Sequence, residues 1–225
     1  MPPFLTERPY WGRDSLWLTS PAVRATFALL SWNEPSLEVG EDVADTHITR
    51  QLAVGGGVEV WAGETEAGEP RVALALVEAA GQDARDRFLV EANRWIENWD
   101  SLSVPGLLEV VAVDPLAATY VGKCKAQATL ATHILKHWPE AKRVTIFRSV
   151  AKTMAALHEK GVVHGSLRPE NVLINAAGEP VIANARLYDL STACRTDATA
   201  ARLHQPFTAP EVRHGTNANA ESDVY

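Results

Sequence analysis

Val163-His164-Gly165-Ser166-Leu167-Arg168-Pro169-Glu170-Asn171-Val172-Leu173 is the stretch on which the reading of this chain turns. It lies between a helix and a hairpin. Upstream, residues 141–160 are predicted helical, with Val144, Phe147, Val150, Met154 and Leu157 recurring at three- and four-residue spacing as a buried stripe. Gly161 is placed to end that helix as its C-cap. Downstream, short strands are predicted near 172–175 and 180–183, joined by a turn at Ala177-Gly178.

Further toward the N-terminus the texture is that of strands. Residues 48–54, 58–62 and 71–77 read as three strands, separated by Gly55-Gly56-Gly57 and by a turn at 68–70. An amphipathic helix is predicted over 83–99, with Phe88, Ala92, Trp95 and Trp99 on one face. Glu91 shares that face, and a carboxylate on an apolar stripe needs a partner or a functional reason. Strands at 107–113 and 117–121 and a helix at 126–137 follow. Strands first and helices later imply an α+β fold in two lobes. The boundaries are an N-terminal extension over 1–46, an N-lobe over 47–121 and a C-lobe over 122–225. The extension carries Trp11, Trp17 and Trp32 among five prolines, and Ser20-Pro21 opens a short helix to about residue 30. So many tryptophans imply packing, on this chain's own surface or on another domain or protein.

Composition narrows the class. The chain has 225 residues, 46% apolar and 22% charged, which is an ordinary globular balance. Its net charge of -7 argues against nucleic acid or an anionic membrane as partner, since both are attracted by basic patches. Cys124 and Cys194 are too few for a disulfide framework and too isolated for a zinc site, so a reducing compartment is expected. Glu7, Arg8, Arg13 and Asp14 precede any apolar stretch, which is unlike a secretory signal. A cytoplasmic location is the expectation, with no metal held.

Taken in order, these motifs resemble a protein kinase of the bacterial eukaryotic-like serine/threonine type, from about residue 47 onward. The resemblance implies a bilobal kinase-like fold, with an antiparallel N-lobe sheet, one main helix and a mostly helical C-lobe. It also implies a site whose parts can be checked one by one. In the glycine loop only the central glycine survives, as Gly55, with Ala53 and Val58 at the flanking glycine positions. The third-strand motif Val72-Ala73-Leu74-Ala75 puts Ala75 where the family has lysine, so Glu91, the helix glutamate, lacks its cation. Lys123 and Lys125 are the substitutes to consider. In the catalytic loop Gly165 replaces arginine and Ser166 replaces the aspartate that orients the substrate hydroxyl. In the family the histidine matched by His164 packs under the loop; Arg168 stands where the family has lysine and could still contact a phosphate, and Asn171, a family metal ligand, is kept. Asn184-Ala185-Arg186 stands at the metal motif, with Asn184 in place of aspartate and Arg186 available to pair with Glu91. The activation segment ends in Thr208-Ala209-Pro210-Glu211, with Ser191, Thr192, Thr196 and Thr199 as phosphorylatable positions. Ser222-Asp223-Val224-Tyr225 matches the start of the central C-lobe helix, whose aspartate braces the catalytic loop. The helices beyond it are expected to be missing, leaving Glu211 without its arginine partner; either the chain is a fragment of a longer protein, or its C-lobe exposes apolar surface that must be covered.

Ala75, Ser166 and Asn184 together imply a pseudokinase, a binding or regulatory module for another protein or a neighbouring domain, with no cofactor expected. Two alternatives stay open. One is residual serine/threonine phosphotransfer with ATP and magnesium; the other is metal-independent nucleotide sensing. Either would use Gly55, Glu91, Arg168, Asn171 and Asn184 as the nucleotide pocket.

Overall fold

Strands rich in valine, alanine and leucine bury both faces of a six-stranded antiparallel sheet, ordered β1-β2-β3-β4-β6-β5. Its members are β1 (Asp42–Val43), β2 (Thr46–Gly55), β3 (Val58–Glu64), β4 (Pro70–Leu76), β5 (Glu109–Asp114) and β6 (Thr119–Lys123). The computed structural model describes residues 36–55, 57–77, 82–134, 138–185, 207–214 and 217–224. The expected helix near 21–30, the three N-terminal tryptophans, Arg186, Cys194 and the serine and threonines of the activation segment lie outside the described residues.

The two faces of the sheet have different occupants. On the inner face, Val60, Leu74 and Leu76 join one core with Phe88, Ala92 and Trp95 of helix α1 (Gln82–Glu97). On the outer face, Ile48, Trp61, Ala73, Ala75 and Val121 pack with Leu37 and Val43. Residues 36–46, expected to belong to the N-terminal extension, are therefore part of the N-lobe. Ser36 is tied there by Glu59, whose carboxylate accepts the Ser36 N–H at 3.1 Å and the Trp61 indole N–H at 3.0 Å. Burial pushes the Glu59 carboxyl above its usual range, against those two hydrogen bonds.

A four-residue helix α2 (Trp99–Leu102) ends the α1 region. The expected helix at 126–137 is not one element. Residues Ala126–Thr129 form β7, which pairs antiparallel with β8 (Val172–Asn175), and among the described residues the helical part is Leu130–Ile134, as α3. Backbone pairing with β8, itself paired to β9 (Pro180–Ile182), overrides the helical preference of an alanine-rich stretch. Helix α4 (Glu140–Glu159) is present, but its buried face differs from the expected stripe. Ile146, Val150, Thr153, Met154 and Leu157 are buried, whereas Val144 and Phe147 are 48% and 58% exposed. The Thr153 hydroxyl donates to the Pro105 carbonyl at 2.9 Å, which fixes the rotation of the helix. A short α5 (Pro210–Arg213) follows the Thr208-Ala209 motif. Among the described residues no helix is long and apolar enough to cross a membrane.

The lobes meet without a gap in the apolar packing. Leu52 and Ala53 of β2 pack against a core that runs on to Ala126, Leu130, Leu173 and Ile174. The Arg50 guanidinium donates to the Gln127 carbonyl at 3.1 Å across the same boundary.

Candidate functional site

A single buried carboxylate organises the catalytic loop. Asp223 accepts the backbone N–H groups of His164 and Gly165, both at 2.7 Å, and lies 3.0 Å from His158 Nε2. Gly165 has φ of +73°, a left-handed conformation that costs a glycine little. His164 is fully buried. Its Nδ1 accepts the Ser166 N–H at 3.1 Å, so the proton sits on Nε2, 3.0 Å from the Ala183 carbonyl. Burial holds this imidazole down at about 4, against the opposing pull of Asp223; Arg168 nearby lowers it further. A neutral His164 thus ties the loop to the end of β9.

Ser166, Asn171 and Asn184 are brought together, and they occupy one another. Asn171, in the 3-10 turn Pro169–Asn171, donates from Nδ2 to the Ser166 carbonyl at 2.7 Å and reaches the Ser166 hydroxyl oxygen at 3.3 Å. Asn184 Nδ2 donates to Asn171 Oδ1 at 2.8 Å. Asn184 Oδ1 accepts the Tyr120 hydroxyl proton at 2.5 Å, and the Tyr120 oxygen accepts the Asn184 N–H at 3.2 Å. Tyr120 on β6 was not singled out by the sequence. A tyrosine in a strand carries no local signal of a partner 64 residues away.

Magnesium is the metal implied by the resemblance, and these residues do not fit it. The amide oxygens of Asn171 and Asn184 already accept from Asn184 and Tyr120, and magnesium favours carboxylate and phosphate oxygens. Among the described residues no cluster of three or more His, Cys, Asp or Glu is placed to hold a metal.

The strand and helix positions part company. Ala75 sits on the outer face, paired across strands with Glu59, and so points away from α1. It is not brought together with Glu91. The positions of β4 that face α1 are Leu74 and Leu76, both aliphatic, so no amine approaches from this strand in either register. Glu91 leans on Arg94 of its own helix, Oε1 to Nη1 at 3.7 Å, while its Oε2 has no hydrogen-bond partner among the described residues. Lys123 is engaged elsewhere, 2.6 Å from Glu109. Gly55 closes β2 opposite Val58 in a tight hairpin, and the Gly57 carbonyl at its tip accepts the Val77 N–H at 3.0 Å. Arg168 is buried at the start of the 3-10 turn. Glu211, expected to lack a partner, accepts the Ser222 hydroxyl at 2.7 Å.

Known proteins show the same ancestry. The chain is 25% identical to a probable serine/threonine-protein kinase PknB of Lactococcus lactis over 84% of this chain and 31% of that protein. It is 28% identical to a probable serine/threonine-protein kinase of Corynebacterium efficiens over 63% of this chain and 22% of that one. A receptor protein kinase-like protein of Arabidopsis thaliana shares 34% identity over 37% of this chain and 11% of its own length. The chain thus spans a third or less of these relatives. The family described as protein tyrosine and serine/threonine kinase matches residues 46–225, a span that carries five of the six strands of the large sheet, the β7-β8-β9 sheet, the braced loop and the Ala-Pro-Glu end. With four fifths of its length so matched, this chain belongs to the protein kinase family.

Proposed function

We propose that this kinase-family chain is a binding or regulatory module without phosphotransfer activity. One observation supports this reading above the others: the groups at the base and metal positions are neutral and hydrogen-bond each other. Phosphoryl transfer depends on positioning and on neutralising phosphate charge, and a serine is no base near neutral pH. A hydroxyl and two amides supply neither. The partner would be another protein or a neighbouring domain, with the Trp-rich N-terminal segment as the docking element.

A second reading, weak phosphotransfer, draws on two observations. Glu91 has a buried oxygen with no hydrogen-bond partner among the described residues, and Asp223 keeps the loop backbone braced. The relatives named as serine/threonine kinases favour it too.

A thermal-shift titration with ATP, with ATP and magnesium, and with ATP in EDTA separates the readings. The binding-module reading expects no shift in any arm. A magnesium-dependent shift accompanied by phosphate transfer to a generic protein substrate supports the enzyme instead. A shift that persists in EDTA points to metal-independent nucleotide sensing.

A further inference from the structure

The two lobes are bridged by a buried hydrogen-bond chain that contains no charge. It starts at Tyr120 in the N-lobe sheet and passes through Asn184 and Asn171 to Ser166 in the loop. Helix α1 joins it from the side: the Trp95 indole N–H donates to the Ala185 carbonyl at 3.2 Å, and Phe88 packs on Tyr120 with ring centroids 5.4 Å apart. Tyr120, Trp95, Asn171, Ser166 and Asn184 are all at most 8% exposed.

Three features make this bridge more than incidental packing. Asn184 is held at three points: its oxygen accepts, its amide nitrogen donates and its backbone N–H donates. A buried hydrogen-bonded network favours one conformation, and opening it strands its members. Asn184 also has φ of +61°, a left-handed backbone that asparagine adopts more readily than most residues with a Cβ. Ala185, at the position where the family motif has the phenylalanine whose packing sets the active and inactive states, has no ring to move. Trp95 lines a small cavity beside Ala185, together with Leu107, Leu108 and Ile182.

We propose that the Tyr120–Asn184–Asn171–Ser166 bridge, with Trp95 on Ala185, is a fixed interlobe lock that holds helix α1 and the catalytic loop in one arrangement without nucleotide. It rests on the binding-module reading above, and it explains how a domain without ATP keeps the closed shape a partner would recognise. Ordinary kinases move this helix and segment between states through charged contacts. A neutral lock has no phosphate or metal to respond to.

Hydrogen exchange tests it, on the wild type with and without Mg-ATP and on Tyr120→Phe and Trp95→Phe. Phenylalanine at 120 keeps the ring against Phe88 and removes only the hydroxyl. In the wild type the amides of 164–171 and 183–185 are expected to be protected without nucleotide. In either folded variant they are expected to exchange on the order of ten-fold faster, the size of one lost buried hydrogen bond, with the outer strands unchanged. Exchange equal to wild type in a folded variant overturns the lock. So does wild-type protection that arises only with Mg-ATP. If the wild type binds Mg-ATP and transfers phosphate while protection stays the same, the lock stands and the binding-module reading alone falls.

Discussion

Residues 164 and 165 and residues 166, 171 and 184 lie within one loop environment, yet they are built on opposite principles. The first pair hangs on an ionisable, deeply buried carboxylate: Asp223 takes two backbone N–H groups and faces His158. The second set is neutral throughout: a phenol and two amides are hydrogen-bonded in a row that ends on the Ser166 carbonyl, with the Ser166 hydroxyl at 3.3 Å. The brace that shapes the loop is a carboxylate on backbone N–H groups, and the side chains beside it are neutral groups that stabilise one another. A fold can keep its scaffold requirements after its catalytic requirements lapse, because a backbone brace depends on geometry and a metal site depends on charge.

The sharpest way to break that comparison is to remove one member from each side. Asp223→Ala leaves two buried N–H groups without an acceptor and is expected to cost about 3 kcal/mol or more in denaturant unfolding. Asn184→Ala removes part of a neutral chain and is expected to cost about 1–2 kcal/mol. Equal costs would mean that brace and bridge are not distinct. The second test moves to the sheet. Ala75→Lys introduces an amine at a position with no exposed surface, on the face away from Glu91. It is expected to destabilise by roughly 2–3 kcal/mol, through overpacking and a buried charge, and to give no Mg-ATP thermal shift. A gain of nucleotide binding there would show that the strand turns to present residue 75 to the helix.

A further test sharpens the comparison through pH. The His164 imidazole is held at about 4, below its ordinary 6.5, by burial. A base whose folded value is depressed stabilises the fold above the unfolded value, and that contribution is lost as pH falls from about 6.5 through about 4. NMR titration should find His164 neutral at pH 6. Stability should decline across that acid window more steeply in wild type than in His164→Gln. A midpoint near 6.5 would mean that the brace does not exclude water from this ring.

Much of this was legible in order and spacing. The glycine turn between two strands, the helix carrying Phe88, Ala92 and Trp95, the hairpin after Asn171 and the brace at Asp223 follow from periodicity, turn residues and the motif string. What was not legible shares one physical cause, that local strings do not fix orientation. Strand residues alternate faces, so a one-residue ambiguity in register puts Ala75 on Glu59 or on Glu91, and only the assembled sheet chooses. Helix α4 carries apolar residues on two stripes, and docking by Thr153 on Pro105 covers the Ile146 stripe while Phe147 faces out. The stretch 126–129 is helical by composition and a strand by its pairing with β8.

The sequence by itself determined that this chain belongs to the protein kinase family and that Ser166 and Asn184 stand in its motif strings, since residue identity needs no coordinates. Only the tertiary structure decided what those residues touch. Ser166 and Asn184 are links in a chain that starts at Tyr120, 64 residues before Asn184. Contacts of that span arise from how the lobes close, which no local pattern encodes.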